Sequence, residues 1–400
     1  MTSPLEALGY PLFFRVGDAG GAALDAPEPR LGQSHRARFR ALDTMQKEAL
    51  VTGGVSGATW RLASDEGEYF DGADVAPAPL ALFATGAVCA YATAIRAVAD
   101  ERGVDVRDLA LDLDCYFTVS GSLLRGTMSG GALPFDLDVR LDGDADESAL
   151  RDLVATATRR SPIRGVVTGE HPSAFALSVD GEAVETGREA GLDVPVPPER
   201  PDPFEVVGRD AVERDPPLVV RTGESIADRP DAATRPLREY GADVPQTDDR
   251  TLRVRATCAV DDDGRKRVDA MFDTPAATIF ELRSDEPEGR GGRGRAPDAA
   301  TYLAAGVGFC FMTQAARYAE RADVEVTDLR LVQDLHLSDA VGAATDGPGR
   351  AAPVQTHASI RTPGGAPAAR DVLDAAEEMC FAHALFGTPL DPPSVEVVTR

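Results

Sequence analysis

The chain has 400 residues, 43% of them apolar, and a formal net charge of −25. That length accommodates two or three domains with ordinary cores. The charge leaves no large basic face, which argues against nucleic acid or an anionic membrane as a partner. Only Lys47 and Lys266 are lysines, so the basic residues are almost all arginine. Such an acidic surface suits a protein kept soluble in a salt-rich cytoplasm, where repulsion is screened. The five cysteines are widely spread and do not form a secretory disulfide framework. The opening Met1-Thr-Ser-Pro-Leu-Glu lacks the basic region of a signal peptide.

In chain order, residues 76–95 are uncharged and include Cys89. Their Pro77, Pro79, Gly86 and many alanines fit a buried central helix better than a membrane span. Leu109, Leu111, Leu113, Cys115, Phe117 and Val119 alternate with polar residues, which predicts a strand with one wet face. Phe135, Leu137, Val139 and Leu141 predict its partner, with residues 129–134 as the turn. A helix follows on the stripe Leu150, Leu153, Val154 and Ala157, extended one turn by Ser161. Phe175, Leu177 and Val179 predict a closing strand. Ten prolines between 193 and 250 read as a linker with short ordered pieces.

The second half repeats that order. Strands are predicted between about Leu252 and Arg283, then an uncharged helix at 299–316 holding Cys310. Leu329 to Leu337 and Val354 to Ile360 predict two strands, with His336 on the polar side of the first. A helix from Asp371 carries Val372, Ala376, Met379 and Cys380, and Val395 and Val397 mark a last strand. The duplication is also visible in the residues themselves. Trp60-Arg-Leu-Ala-Ser-Asp-Glu66 returns as Phe280-Glu-Leu-Arg-Ser-Asp-Glu286, and Val104–Leu109 as Val324–Leu329. Both echoes are 220 positions apart, whereas Cys89 and Cys310 are 221 apart. A solenoid repeats every 20–50 residues or so, so this period means two copies of one domain. The expected architecture is α+β, with domains at 1–192 and 251–400 and the linker between. Each uncharged helix needs cover on every side, and its natural partner is the same helix of the other copy, giving a pseudo-dimer within one chain.

Cys310 and Cys380 are distant in sequence, each on an apolar helical stripe. If their helices pack, two thiols meet. One could attack a peroxide to give a sulfenic acid, and the other could condense with it to a disulfide. Two ordinary buried cysteines are the alternative. Pro297-Asp-Ala-Ala-Thr-Tyr-Leu-Ala-Ala-Gly-Val-Gly-Phe-Cys-Phe311 and the following Arg321–Leu331 resemble the OsmC/Ohr family of osmotically induced and organic hydroperoxide resistance proteins. Ala78–Tyr91 and Arg102–Leu109 resemble the same segments in the first half. The resemblance implies two fused OsmC-like domains with sheets wrapped around buried helices, and a thiol peroxidase that needs no cofactor. It implies Cys310 as the attacking thiol, Cys380 as the resolving thiol, and an arginine stabilising the thiolate, with Arg265 the first choice and Arg267 the second. A hydroperoxide and a dithiol reductant are the implied partners.

Two departures stand out. The family's peroxidases carry a glutamate ten residues before the first cysteine, and here Ala300 takes that place. In the first half Cys89 fits the first position, but Ser161 stands at the second and cannot form a disulfide. The competing reading is therefore a non-catalytic protein of the same fold that binds a small apolar ligand between its halves. Cys310, Cys380 and His383 could begin a metal site, but no fourth ligand is evident. The glycine–arginine tract 289–295 fits a loop better than an RNA-binding segment in so acidic a chain.

Overall fold

The structure is a computed structural model describing residues 2–17, 24–43, 45–122, 125–186, 192, 194–197, 202–207, 211, 215–229, 250–274, 277–338 and 347–399. The first half contains α1 (Pro4–Ala7), β1 (Phe14–Arg15), β2 (Gly32–Ala41), β3 (Lys47–Gly53), β4 (Thr59–Ser64), α2 (Pro79–Arg102), β5 (Val106–Ser120) and β6 (Ser129–Gly143). It continues with α3 (Glu147–Arg160), α4 (Pro162–Thr168), β7 (Ala174–Val179) and β8 (Glu182–Val184). The second half contains β9 (Val219–Ser225), β10 (Arg250–Val260), β11 (Lys266–Phe272), β12 (Thr278–Ser284) and α5 (Ala299–Arg321). It ends with β13 (Asp328–Ser338), β14 (Gln355–Arg361), α6 (Gly365–Met379), α7 (Phe381–Gly387) and β15 (Ser394–Thr399).

The halves are interleaved rather than side by side. One sheet has the order β1-β4-β3-β2-β13-β14-β7-β8, and the other β15-β6-β5-β10-β11-β12-β9. Each therefore joins a three-stranded meander from one half to a hairpin from the other, then takes back a parallel strand from the first. The seams are antiparallel, β2 on β13 and β10 on β5. Each is riveted by a buried ion pair at an equivalent register. Arg36 opposes Asp334 and makes two hydrogen bonds of 2.8 Å with it. Arg255 opposes Asp114 at 2.8 and 2.6 Å, with Arg253 adding bonds of 3.0 and 3.2 Å to the same carboxylate. These two-pronged pairs keep the charges satisfied where water is excluded.

The sheets enclose α2 and α5. By length and apolarity either helix could cross a membrane, yet their most apolar windows are 83% and 94% buried inside the protein. The two pack directly on each other at glycines. A Cβ on Gly86 would lie 2.7 Å from the Leu303 nitrogen, and one on Gly306 would lie 2.6 Å from the Phe83 nitrogen. Phe83 with Gly306 and Leu303 with Gly86 are one contact seen twice, as a two-fold relation requires. α2 begins with Pro79 in its first turn and stops at Gly103, whose φ of 66° ends the helix. α5 is N-capped by Asp298, whose carboxylate accepts from the Thr301 amide at 2.7 Å.

Several expectations are corrected. Residues 129–134 are not a turn but the start of β6, paired with Ser120 through Tyr116; the connection lies within 121–128. The stripe expected to run through Ser161 ends one residue earlier. Ser161 caps α4 instead, accepting from the Ile163 amide, and Pro162 opens the new helix. The helix expected from Asp371 starts at Gly365, and Cys380 falls in the extended break before α7 rather than on a helix. His336 is buried, not on a wet face. The proline-rich stretch holds an edge strand, β9, and its Phe204 and Val207 pack with Phe14 and Leu50. Pro198, Pro201, Pro230, Pro236 and Pro245 lie outside the described residues.

Candidate active site: two buried thiol pairs

Helix breaks and helix phase decide which thiols meet. Cys380 sits where α6 ends and α7 begins, in the extended conformation (φ −80°, ψ 112°). That kink turns its side chain toward α5, where its thiol is in electrostatic reach of that of Cys310. Both cysteines are free. Both are buried, Cys310 at 2% exposure and Cys380 at none. His383, one turn into α7, places Nδ1 3.1 Å from the Cys380 sulfur. Its ring packs on Phe175 and Phe311, and burial pushes its pKa down to about 3, so it is neutral. The Cys380 thiol is raised well above its usual value, by burial first and then by the neighbouring Cys310 thiol.

The charges around Cys310 come from both halves. Lys47, on β3 of the first half, is buried and in electrostatic reach of the sulfur, as is Arg317 on α5. The Lys47 ammonium donates to the Met45 carbonyl at 2.7 Å. Burial lowers its pKa, and Glu66, Asp65 and Cys310 oppose that shift. Burial likewise raises Glu66, against the opposing charge of Lys47 and a 2.9 Å hydrogen bond from Thr313. Arg317 lies 5.1 Å over the Phe70 ring, which shields it from water. The site is thus a thiol pair from one copy set in a Lys–Glu frame from the other.

The same frame recurs at the pseudo-symmetric position. Lys266 donates to Glu286 at 3.3 Å and Thr93 to Glu286 at 3.1 Å. Lys47, Glu66 and Thr313 correspond to Lys266, Glu286 and Thr93, at spacings of 219 or 220. Here, however, Ala90 and Ser161 occupy the places of Cys310 and Cys380, and a void of about 20 Å³ lies between Ala90, Thr93, Pro162, Glu286 and Leu303. Cys89 is one residue out of phase with Cys310, which rotates it about 100° around its helix. It turns to β10, where its thiol is in electrostatic reach of that of Cys258.

Sequence reasoning brought Cys310 and Cys380 forward as a pair, and their thiols are in contact. Arg265 is elsewhere: it lies on the exposed β10–β11 turn, its guanidinium 3.1 Å from Asp263. Arg267 is also exposed and faces Glu281 at 3.8 Å. The buried cation of that segment is the residue between them, Lys266, and it serves the other thiol pair. Lys47, Glu66, Glu286 and Cys258 were not singled out as site residues. The signal existed: the chain's two lysines are 219 apart, and each Ser-Asp-Glu echo ends on a buried glutamate, Glu66 or Glu286. Among the described residues no group of three or more His, Cys, Asp or Glu side chains is arranged to hold a metal.

A family model described as "OsmC-like protein" matches residues 71–173 and 291–392, together just over half of the chain. The chain is also similar to an OsmC-like hydroperoxide resistance protein from Jannaschia sp. CCS1, known as a crystal structure. The identity is 24%, over 34% of this chain and 86% of that one, with a TM-score of 0.21. No curated protein matches. Each matched segment begins just before a central helix and ends after the helical break that carries Ser161 or Cys380.

Proposed function

The chain belongs to the OsmC family, with one copy of the family's domain in each half, and from that premise we propose that its Cys310–Cys380 site reduces organic hydroperoxides. The observation carrying this reading is the contact of two free thiols beside a buried ammonium. In the reaction the Cys310 thiolate attacks one peroxide oxygen. The S–O bond forms, the O–O bond breaks, and the alcohol leaves with a proton, leaving a sulfenic acid. Cys380 then attacks the Cys310 sulfur, water departs, and a disulfide remains for a dithiol to reduce. Lys47 and Arg317 stabilise the attacking thiolate by charge, the work expected of Arg265. The Cys380 thiol, held protonated by burial, donates to the Cys310 thiolate. We assign the His383 Nδ1 proton as donor to Cys380, which orients the resolving sulfur. Glu66 and Thr313 hold the charge balance in a pocket that excludes bulk water. The first copy, with Ala90 and Ser161 at these places, lacks both thiols of this reaction.

The test is consumption of cumene hydroperoxide with dihydrolipoamide as reductant. Turnover should vanish in Cys310→Ser, while Cys380→Ser should turn over slowly and accumulate overoxidised Cys310. The absence of turnover in the unmodified protein would reject the proposal.

A second reading draws on a different observation. A cavity of about 320 Å³ opens between the halves, lined by Ala41, Leu42, Ala315, Ala319, Val324 and Val372 among others. Its size fits a small apolar ligand, and it supports the non-catalytic alternative. Titration with an apolar fluorophore, with Ala319→Trp to fill the cavity, separates the two: binding lost in that variant, with no peroxide turnover in any form, favours the ligand-binding reading.

A further inference from the structure

The Cys89–Cys258 pair takes no part in the reaction above. Its equivalents at the other site are Phe309 on α5 and Phe39 on β2, whose rings meet edge-on at 5.2 Å. Both contacts join the central helix of one half to a sheet strand of the other. Two rings suffice for that contact in one copy, so packing alone does not call for two sulfurs in the other. The sulfurs also stand beside reactive-site chemistry. Lys266 is buried next to them and paired with Glu286 at 3.3 Å. Burial works against ionising Cys89, but the neighbouring Cys258 thiol and the Lys266 charge oppose it, and its pKa is lowered. Cys258 is raised well above its usual value, by the neighbouring Cys89 thiol first and then by burial. The two thiols are thus unequal, as an attacking and a condensing thiol must be. A cleft of about 200 Å³, lined by Thr93, Arg96, Asp263, Lys266, Glu286 and Arg290, leads from the surface to the ammonium and carboxylate beside Cys89.

We propose that Cys89 and Cys258 are a second redox centre, a staple that a small hydroperoxide closes into a disulfide joining the first half's central helix to the second half's sheet. The Cys89 thiolate attacks hydrogen peroxide, forming an S–O bond and breaking the O–O bond, and hydroxide leaves as water with a proton. The Cys258 thiol then attacks the sulfenic sulfur, a second water leaves, and the S–S bond forms. The peroxide is reduced by two electrons and the two thiols are oxidised by two. Closure needs the two free sulfurs to approach to the bonding distance of about 2.05 Å. Both cysteines are fully buried, so a bulky dithiol does not reach the product and the staple stays closed. It therefore changes stability rather than turning over.

The test uses Cys310→Ser/Cys380→Ser, which keeps Cys89, Cys115 and Cys258. The folded protein is treated with hydrogen peroxide, alkylated under denaturing conditions and mapped by mass spectrometry. The expected result is loss of two of the three thiols, a linked Cys89–Cys258 peptide, Cys115 still alkylated, and a raised unfolding midpoint. Cys89→Ser in the same background should abolish the loss. Three alkylated thiols after treatment, or oxidised Cys89 with Cys258 still free, would overturn the staple. The unsubstituted protein, mapped in parallel, separates this proposal from the peroxidase reading. A Cys89–Cys258 link without a Cys310–Cys380 link keeps the staple and rejects the peroxidase, and the reverse pattern does the opposite.

Discussion

The crossing of the two central helices makes a prediction in which two effects of one substitution have opposite signs. Gly86→Ala and Gly306→Ala each place a methyl group in the interior of a helix. On propensity alone, alanine is favoured over glycine there by about 1 kcal/mol. The packing says otherwise. The new Cβ on Gly86 would lie 2.7 Å from the backbone of Ala299 and Leu303, and that on Gly306 2.6 Å from the backbone of Phe83. Ordinary contact begins near 3.4 Å, so the helices must separate by about 0.7 Å, and no side-chain rotation relieves a clash with backbone. Overpacking of a tight core costs about 1–3 kcal/mol, and a rigid backbone neighbour places both sites at the upper end. The net expectation is a loss of about 2 kcal/mol for each substitution, read as a lowered urea midpoint with unchanged slope. One separation of the helices relieves both contacts, so the double variant should lose clearly less than the sum of the singles. Either single variant proving more stable than the parent would refute the direct helix contact, and full additivity would refute the shared two-fold crossing.

Other predictions follow from the charges. Lys47→Met should lower the rate of peroxide consumption about 100-fold, as expected for loss of one preorganised charge, while Arg265→Ala should leave it unchanged; equal effects would remove Lys47 from the site. Asp114→Asn should cost about 3 kcal/mol in urea unfolding, because Arg253 and Arg255 lose the buried carboxylate they share, and Asp273 at 3.4 Å compensates only Arg253; a loss below about 1 kcal/mol would mean that the seam is not held by charge. His383 is depressed to about 3 and His336 to about 4, both by burial, so neither binds a proton at pH 5 in the native state. In the unfolded chain both titrate near 6.5, so the unfolded state gains protons as pH falls and stability declines. Between pH 7 and 5 each of these two residues should contribute a loss of about 2 kcal/mol, and His383→Leu should remove its own share of the decline; an unchanged slope would show that His383 is protonated in the fold.

Much of the architecture was legible in the sequence, for physical reasons that can be named. Alternation along Leu109–Val119 identified β5 because that strand has one buried face and one wetter one. The uncharged runs around Cys89 and Cys310 identified α2 and α5 because a helix enclosed on all sides cannot carry charge. The Ser-Asp-Glu echo showed the duplication. What stayed hidden depends on contacts between the halves. Lys47 reaches Cys310, and Cys258 reaches Cys89, only because strands of one copy complete the sheet of the other, and no spacing within one copy encodes that exchange. The helical breaks at Ser161 and Cys380 were missed for a different reason. The apolar stripes run up to both positions; a side-chain cap and Pro162 end the helix at Ser161, and an extended backbone ends it at Cys380. The spacing of 221 between Cys89 and Cys310, against 220 for the echoes, was the trace of their different helix phase.

The central claim is that Cys310 and Cys380 act as one dithiol. It is tested most directly by treating the reduced protein with one equivalent of cumene hydroperoxide, alkylating the remaining thiols and mapping the peptides. The account predicts a Cys310–Cys380 disulfide, formed together with one equivalent of cumyl alcohol and absent from Cys310→Ser. Both cysteines recovered as alkylated thiols, with the hydroperoxide unconsumed, would contradict it.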